Sequence, residues 1–201
     1  MLCQLLPTSD QTSRHSLNQS SHQERCVNTI PSTVPTSTSA ETHLLVGRFS
    51  GPREFSELVR RALFAAAAQG WRELLLCDKD FKDWPLGERA VVEALNAWAG
   101  AGRKFTMLAA NYDHVLRQHA RFVTWRKTWS HLVECRRCGL AHIDSLPSAL
   151  WSPDWAIHRV DPVRVVGFSS SDARQRAALR EQLTEQLLQS SPSFPATTLG
   201  L

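Results

Sequence analysis

Two apolar runs separated by a helical repeat constrain this chain more than anything else in it. Residues 72–77 read RELLLC and residues 104–110 read KFTMLAA. Continuous apolar runs of this length suit strands buried on both faces of a parallel sheet. Between them, the segment from about Pro85 to Ala99 carries Val91, Leu95 and Trp98 at helical spacing and ends in Gly-Ala-Gly. Upstream, HLLVGRF reads as another strand. Pro52 then stands where a first helical turn tolerates it, and Phe55, Leu58, Val59, Ala62, Leu63 and Ala66 share one face until Gly70. Strand, helix, strand, helix, strand predicts an α/β fold, a parallel or mixed sheet sandwiched by helices with right-handed crossovers.

Further along the pattern is looser. Asp113 to Ser130 reads as one helix with Phe122, Trp125 and Trp129 on its apolar stripe and Arg117, Arg121 and Lys127 elsewhere. LVECR, WAIHRV and VRVVGFS read as three more strands, and Asp172 to Gln189 as a closing amphipathic helix. Residues 1–40 hold 14 Ser and Thr and no aromatic residue, too little apolar surface to offset the entropy of ordering the backbone. The expected organisation is a disordered tail at 1–40, a single α/β domain at 41–190 and a C-terminal tail at 191–201. A start placed too far upstream would leave the same composition in the first segment.

At 201 residues, 42% hydrophobic, the chain has enough apolar side chain for one sizeable core. Its five cysteines, Cys3, Cys26, Cys77, Cys135 and Cys138, are odd in number and irregular in spacing, which argues against a disulfide framework and for a reducing compartment. The opening MLCQLLPTSD is too short for the apolar core of a signal peptide, and no run approaches 18 apolar residues, so a cytoplasmic protein without a membrane span is expected. The net charge of +4 is uneven: eight Lys and Arg stand against Asp113 and Glu134 between Arg103 and Arg137.

Three segments carry candidate chemistry. In WSHLVECRRCGLAHID, Cys135 and Cys138 have the spacing of a zinc knuckle, with His131 and His142 flanking them as further ligands. A second C-x-x-C is missing, and four ligands this close would break the alternation of LVECR, so Cys135 reads as a small buried hydrophobe and Cys138 as a turn residue, with no metal. No cofactor is expected. In LLLCDKDFKDW, Asp78 and Asp80 follow a buried strand, where open α/β sheets place ligands. A D-x-D pair there can hold Mg²⁺ for phosphoryl transfer, yet Lys82 stands where the phosphatase pattern wants Thr or Val, and helix or turn capping explains the acids more simply. In RQHARFVTWRKTWSH, Arg117, His119, Arg121, Arg126 and Lys127 interleave with aromatics, the combination that holds single-stranded nucleic acid, and equally the face of a packed amphipathic helix. Motifs for a nucleophile elbow, a phosphate-cradling Walker loop, a dinucleotide fold or a zinc protease are missing.

From His43 to about Ala110, with DKDFKDWPL after the second strand and GRKFTMLAAN leading onward, the chain resembles the first half of a phospholipase D-like domain, and in particular bacterial domains of that superfamily without its catalytic signature. Active members carry H-x-K-x-x-x-x-D. None of the eight His here has Lys two residues later; His119-Ala-Arg121 reaches Arg126 where the Asp would stand. The resemblance implies a catalytically degenerate module for nucleic acid or another phosphate-bearing ligand, and a homodimer, since active members bring two such units together. The alternatives are a phosphodiesterase or phosphoryl-transfer enzyme using Asp78 and Asp80 or His119, and a purely structural homodimer subunit.

Overall fold

The computed structural model describes residues 44–195. The expected tail at residues 1–40, with Cys3 and Cys26, therefore lies outside the described residues.

The first elements among the described residues are β1 (Gly47–Ser50) and α1 (Pro52–Gln69), which opens on Pro52 and is capped by Gly70. Gly70 has φ 70°, a left-handed conformation that suits glycine, and its N–H closes on the Ala66 carbonyl. β2 (Glu73–Asp78), α2 (Arg89–Trp98) and β3 (Lys104–Ala109) follow. Two short helices, α3 (Asp113–Gln118) and α4 (Ala120–Thr128), lead to β4 (Val133–Cys138). The strands β5 (Ser148–Trp151), β6 (Ala156–Asp161) and β7 (Val166–Ser170) form a meander, and α5 (Ala173–Leu188) returns the chain to β8 (Ser190–Pro192).

All eight strands join one mixed sheet in the order β1-β7-β6-β5-β2-β3-β4-β8. Only β2, β3 and β4 pair in parallel; the remaining ladders are antiparallel. The α/β class and mixed sheet expected from the sequence are therefore found, with a difference in placement. β1 is not beside β2 but at the far edge, paired with β7, because the antiparallel β5–β6–β7 meander takes the position next to β2.

Alternation along each strand sorts the core into two layers. Leu74 and Leu76 of β2 join Leu63, Leu95, Phe105 and Trp125 under α1, α2 and α4, while Leu75 and Cys77 face Leu179 and Leu183 of α5. Trp98 and Trp125 meet Phe105 edge-on, with centroids 6.1 and 5.3 Å apart, and the Trp98 indole N–H donates to the Trp71 carbonyl at 2.6 Å. On the other layer, Asp172 caps α5 by accepting from the Gln175 N–H at 2.9 Å.

Four local expectations are corrected. The helix expected over 113–130 is broken at His119, whose φ and ψ of −112° and 47° leave the helical range. The second helix starts at Arg89 rather than Pro85, because Trp84, Pro85 and Leu86 are buried in the turn before it. Cys138 is the last residue of β4 and not part of a turn. The sheet also runs past residue 190: β8 pairs with β4, Ser193 N–H donates to the Cys135 carbonyl at 3.0 Å, and the Phe194 ring stacks on Tyr112. Among the described residues no helix is long and apolar enough to cross a membrane.

Candidate functional site

The carboxyl ends of the parallel strands carry two neighbouring constellations, one acidic and one basic. At the end of β2, strand register sets three side chains in a row. Cys77 pairs with Ala149 and Ser148 pairs with Arg159, so Asp78, Ser148 and Arg159 lie side by side on β2, β5 and β6. Asp78 Oδ2 accepts from Ser148 Oγ and, at 2.6 Å, from Arg159 Nη2. Its Oδ1 accepts the backbone N–H groups of Asp80 and Phe81 at 3.1 and 2.9 Å. Arg159 Nη1 donates to Asp83 Oδ2 at 2.8 Å, its Nε to Ser148 Oγ at 2.8 Å, and its Cζ lies 4.7 Å from the Phe55 ring centroid.

Asp78 and Arg159 are both buried, and Arg159 uses Nε, Nη1 and Nη2 in the network. An ionised carboxylate offers about four acceptor positions, and four donors fill those of Asp78. That arrangement does not fit a D-x-D metal pair, because the Arg159 guanidinium occupies the side from which a cation would approach. Asp80 accepts the Lys82 N–H at 3.1 Å. Above the row lies a cleft of about 540 Å³, lined by Asp80, Asp83 and Asp144 together with Lys79 and Lys82.

His119 is buried between α3 and α4, with Nε2 3.2 Å from the Phe81 carbonyl, so the neutral ring is assigned its proton on Nε2. Burial pushes its pKa below the usual histidine value; the Phe81 carbonyl opposes that shift and His114 adds to it. A buried, neutral imidazole held by a backbone carbonyl is an inter-helix strut. Arg117 and Arg121 are exposed and, among the described residues, hydrogen-bond to the carbonyls of Asp113 and Gly87, at 3.2 and 3.3 Å.

While Arg117, His119, Arg121, Asp78 and Asp80 lie elsewhere, two of the sequence candidates, Arg126 and Lys127, meet at the carboxyl ends of β3 and β4. A cleft of about 390 Å³ there is lined by Arg126, Lys127 and Arg137, with Tyr112, Leu116, Val123 and Phe194 as its apolar part. Arg126 is 5% exposed; its Nε donates to Cys135 Sγ at 3.1 Å, its Cζ lies 4.6 Å from the Phe194 ring centroid, and its Nη1 has no partner among the described residues. Arg137 donates from Nε to the Ala110 carbonyl at 3.0 Å. The Tyr112 hydroxyl lies 2.7 Å from the Arg136 carbonyl and 2.9 Å from that of Met107, tying the loop after β3 to β4.

Sequence reasoning missed Arg137 and Arg159, although strand parity marks both. Ile157 and Arg159 share the inner face of β6, and Cys135 and Arg137 share the helix-covered face of β4. The same parity separates the suggested zinc ligands. Cys135 packs with the layer under α4 and Cys138 with Leu179 and Leu183 beneath α5, so their sulfurs lie on opposite faces of the sheet. Burial raises the pKa of both thiols, with the Arg126 hydrogen bond opposing the rise at Cys135. His131 is exposed beyond α4, and His142 lies in a short 3₁₀ turn, Leu140–His142.

Of the eight cations from Arg103 to Arg137, Arg136 alone forms a salt bridge among the described residues, to Glu134 at 3.0 Å. Arg60, Arg61, Arg89, Arg159 and Arg180, outside that segment, are all paired at 2.9 Å or closer.

No protein-family model matches the chain, and no curated protein matches its sequence. Solved structures do share its fold. TrmBL2, described as an archaeal chromatin protein with a novel mode of DNA binding, aligns with a TM-score of 0.53 at 16% identity, covering 79% of this chain and 57% of its own. The chain thus spans little more than half the length of that neighbour. NucT from Helicobacter pylori aligns with a TM-score of 0.51 at 11% identity, over 73% of this chain and 97% of its own. At such identities the likeness is one of fold alone.

Proposed function

We propose that this chain is a phospholipase D-like module that binds single-stranded nucleic acid through phosphate contacts and does not cleave it. The observation that carries the reading is the set of cations between Arg103 and Arg137, of which only Arg136 has a carboxylate partner among the described residues, whereas Arg60, Arg61, Arg89, Arg159, Arg164 and Arg180 outside that segment are paired and Arg48, Arg53, Arg72, Arg174 and Arg176 are not. A fold neighbour supports the same class: TrmBL2 is described as binding DNA. A non-catalytic role is supported by Asp78, whose acceptor positions are filled, and by His119, which is buried on a backbone carbonyl.

The test is a titration of a fluorescent single-stranded oligonucleotide with the full chain at about 50 and about 200 mM salt. With about three phosphates neutralised, affinity is expected to fall on the order of tenfold or more across that range. Lys127→Glu together with Arg137→Glu is expected to weaken binding and flatten the salt slope, and sequence preference is expected to be slight. No binding at low salt, or binding unaffected by the reversals, overturns the reading. Shortening of the oligonucleotide overturns its non-catalytic part. The mass of the free protein by light scattering decides whether the binding unit is one chain or two.

A further inference from the structure

The two buried arginines among the described residues have opposite surroundings. Arg159 has two carboxylates, at 2.6 and 2.8 Å, and its Nε donates to the Ser148 hydroxyl. Arg126 is as deeply buried, yet its neighbours are the Cys135 sulfur and the Phe194 ring, and Nη1 has no partner among the described residues. A buried cation with an unfilled donor is costly unless an anion completes it. The cleft it lines brings Lys127 and Arg137 to the same place, so three positive charges converge beside one acidic lining residue, Asp113, which forms a salt bridge to none of them.

The size and lining of the cleft narrow the class of anion. About 390 Å³ is far more than an inorganic oxyanion fills and is within the range of small-molecule sites. Its other half is apolar: Leu116, Val123 and the Phe194 ring, which stacks on Tyr112 with centroids 4.8 Å apart. The Phe194 ring is already packed by Tyr112 and by the Arg126 guanidinium, 4.6 Å from its centroid, so a ligand meets its edge together with Leu116 and Val123, and cations beside this apolar strip match a ligand with a phosphate and a ring.

We propose that this cleft seats a single nucleotide through its 5′-phosphate, which completes Arg126 and contacts Lys127 and Arg137, while its base lies against Leu116, Val123 and the edge of Phe194. The inference rests on the nucleic-acid reading above and deepens it by naming the terminal nucleotide as the group held. A free nucleoside 5′-monophosphate and the 5′-phosphorylated end of a strand present the same chemistry.

The experiment compares two oligonucleotides of one sequence, with 5′-phosphate and with 5′-hydroxyl, against the full chain, and adds adenosine 5′-monophosphate, adenosine and inorganic phosphate as competitors. The phosphorylated strand is expected to bind about tenfold tighter, the effect of one good charge-assisted contact. Adenosine monophosphate is expected to compete, and adenosine not to compete. Arg126→Met is expected to abolish the preference and leave the salt-dependent background, and Arg137→Gln, at an exposed position, to reduce it if the first variant does not fold. Equal binding of both strands, with no competition by the nucleotide, overturns the cleft assignment while leaving polymer binding intact. Competition by inorganic phosphate equal to that by the nucleotide overturns the base seat. Failure of both strands to bind, with adenosine monophosphate still held at the cleft, instead removes the polymer reading and leaves the nucleotide site.

Discussion

Arg159 holds two carboxylates, one of them fully buried, and that asymmetry makes the residue scale measurable. In Arg159→Met the buried Asp78 carboxylate loses its charge partner, a change expected to cost about 3–5 kcal/mol in urea unfolding. Asp83→Ala leaves the Asp78 pair intact at a site whose carboxylate is 30% exposed, so a loss of about 1 kcal/mol or less is expected. Arg126→Met, by contrast, removes a buried charge that has no carboxylate, and without ligand its stability is expected to match or exceed the wild type. His119 sets a pH dependence of known sign. Its folded pKa is depressed, so between that value and the ordinary value of about 6.5 the unfolded chain binds a proton that the folded chain does not. Stability is therefore expected to be full above that range and to fall as pH drops through it, and His119→Gln is expected to flatten the profile. At this scale the sequence disclosed Asp78, Arg126 and Lys127 as charged residues in suggestive places. It did not disclose which charges meet, because Asp78 finds its partner 81 residues away.

Elements were legible in proportion to their length and periodicity. α1, β2 and β3 have runs long enough for burial to impose a pattern, and α5 begins on a residue that caps it. β5 and β8, of four and three residues, have no period to read, and they exist because a neighbour supplies their hydrogen bonds. The break between α3 and α4 is also invisible in sequence, since His119 leaves the helical range where its ring is drawn to Phe81. Close approach between elements gives a further expectation. At Gly167, beside the irregularity in the β6–β7 ladder, an added Cβ would stand 2.2 Å from the His158 carbonyl oxygen and 2.7 Å from the Phe49 ring. Gly167→Ala is expected to destabilise by about 1–3 kcal/mol or more, whereas Gly100→Ala, with open space around it, is expected to be nearly neutral. Paired thermal melts check this, and equal effects would show that the ladder can shift to make room. Loss of the Asp172 cap in Asp172→Ala is expected to cost about 1 kcal/mol.

At the scale of the whole domain, α/β class and mixed sheet were legible, while strand order was not. Local periodicity says that a segment is a strand; it does not say that β1 will cross to pair with β7, more than a hundred residues later. The candidate clefts depended on that order, since only adjacency of β2, β3 and β4 brings the acidic and basic loops to one side. The same order has a consequence for joining the chain to itself or to another. β1 and β8 are opposite edges of an eight-stranded sheet, and seven inter-strand steps of about 4.8 Å separate them by roughly 34 Å. A circular permutant that links residue 195 back to residue 44 therefore requires a spacer of roughly ten extended residues, and a shorter one must peel an edge strand from the sheet.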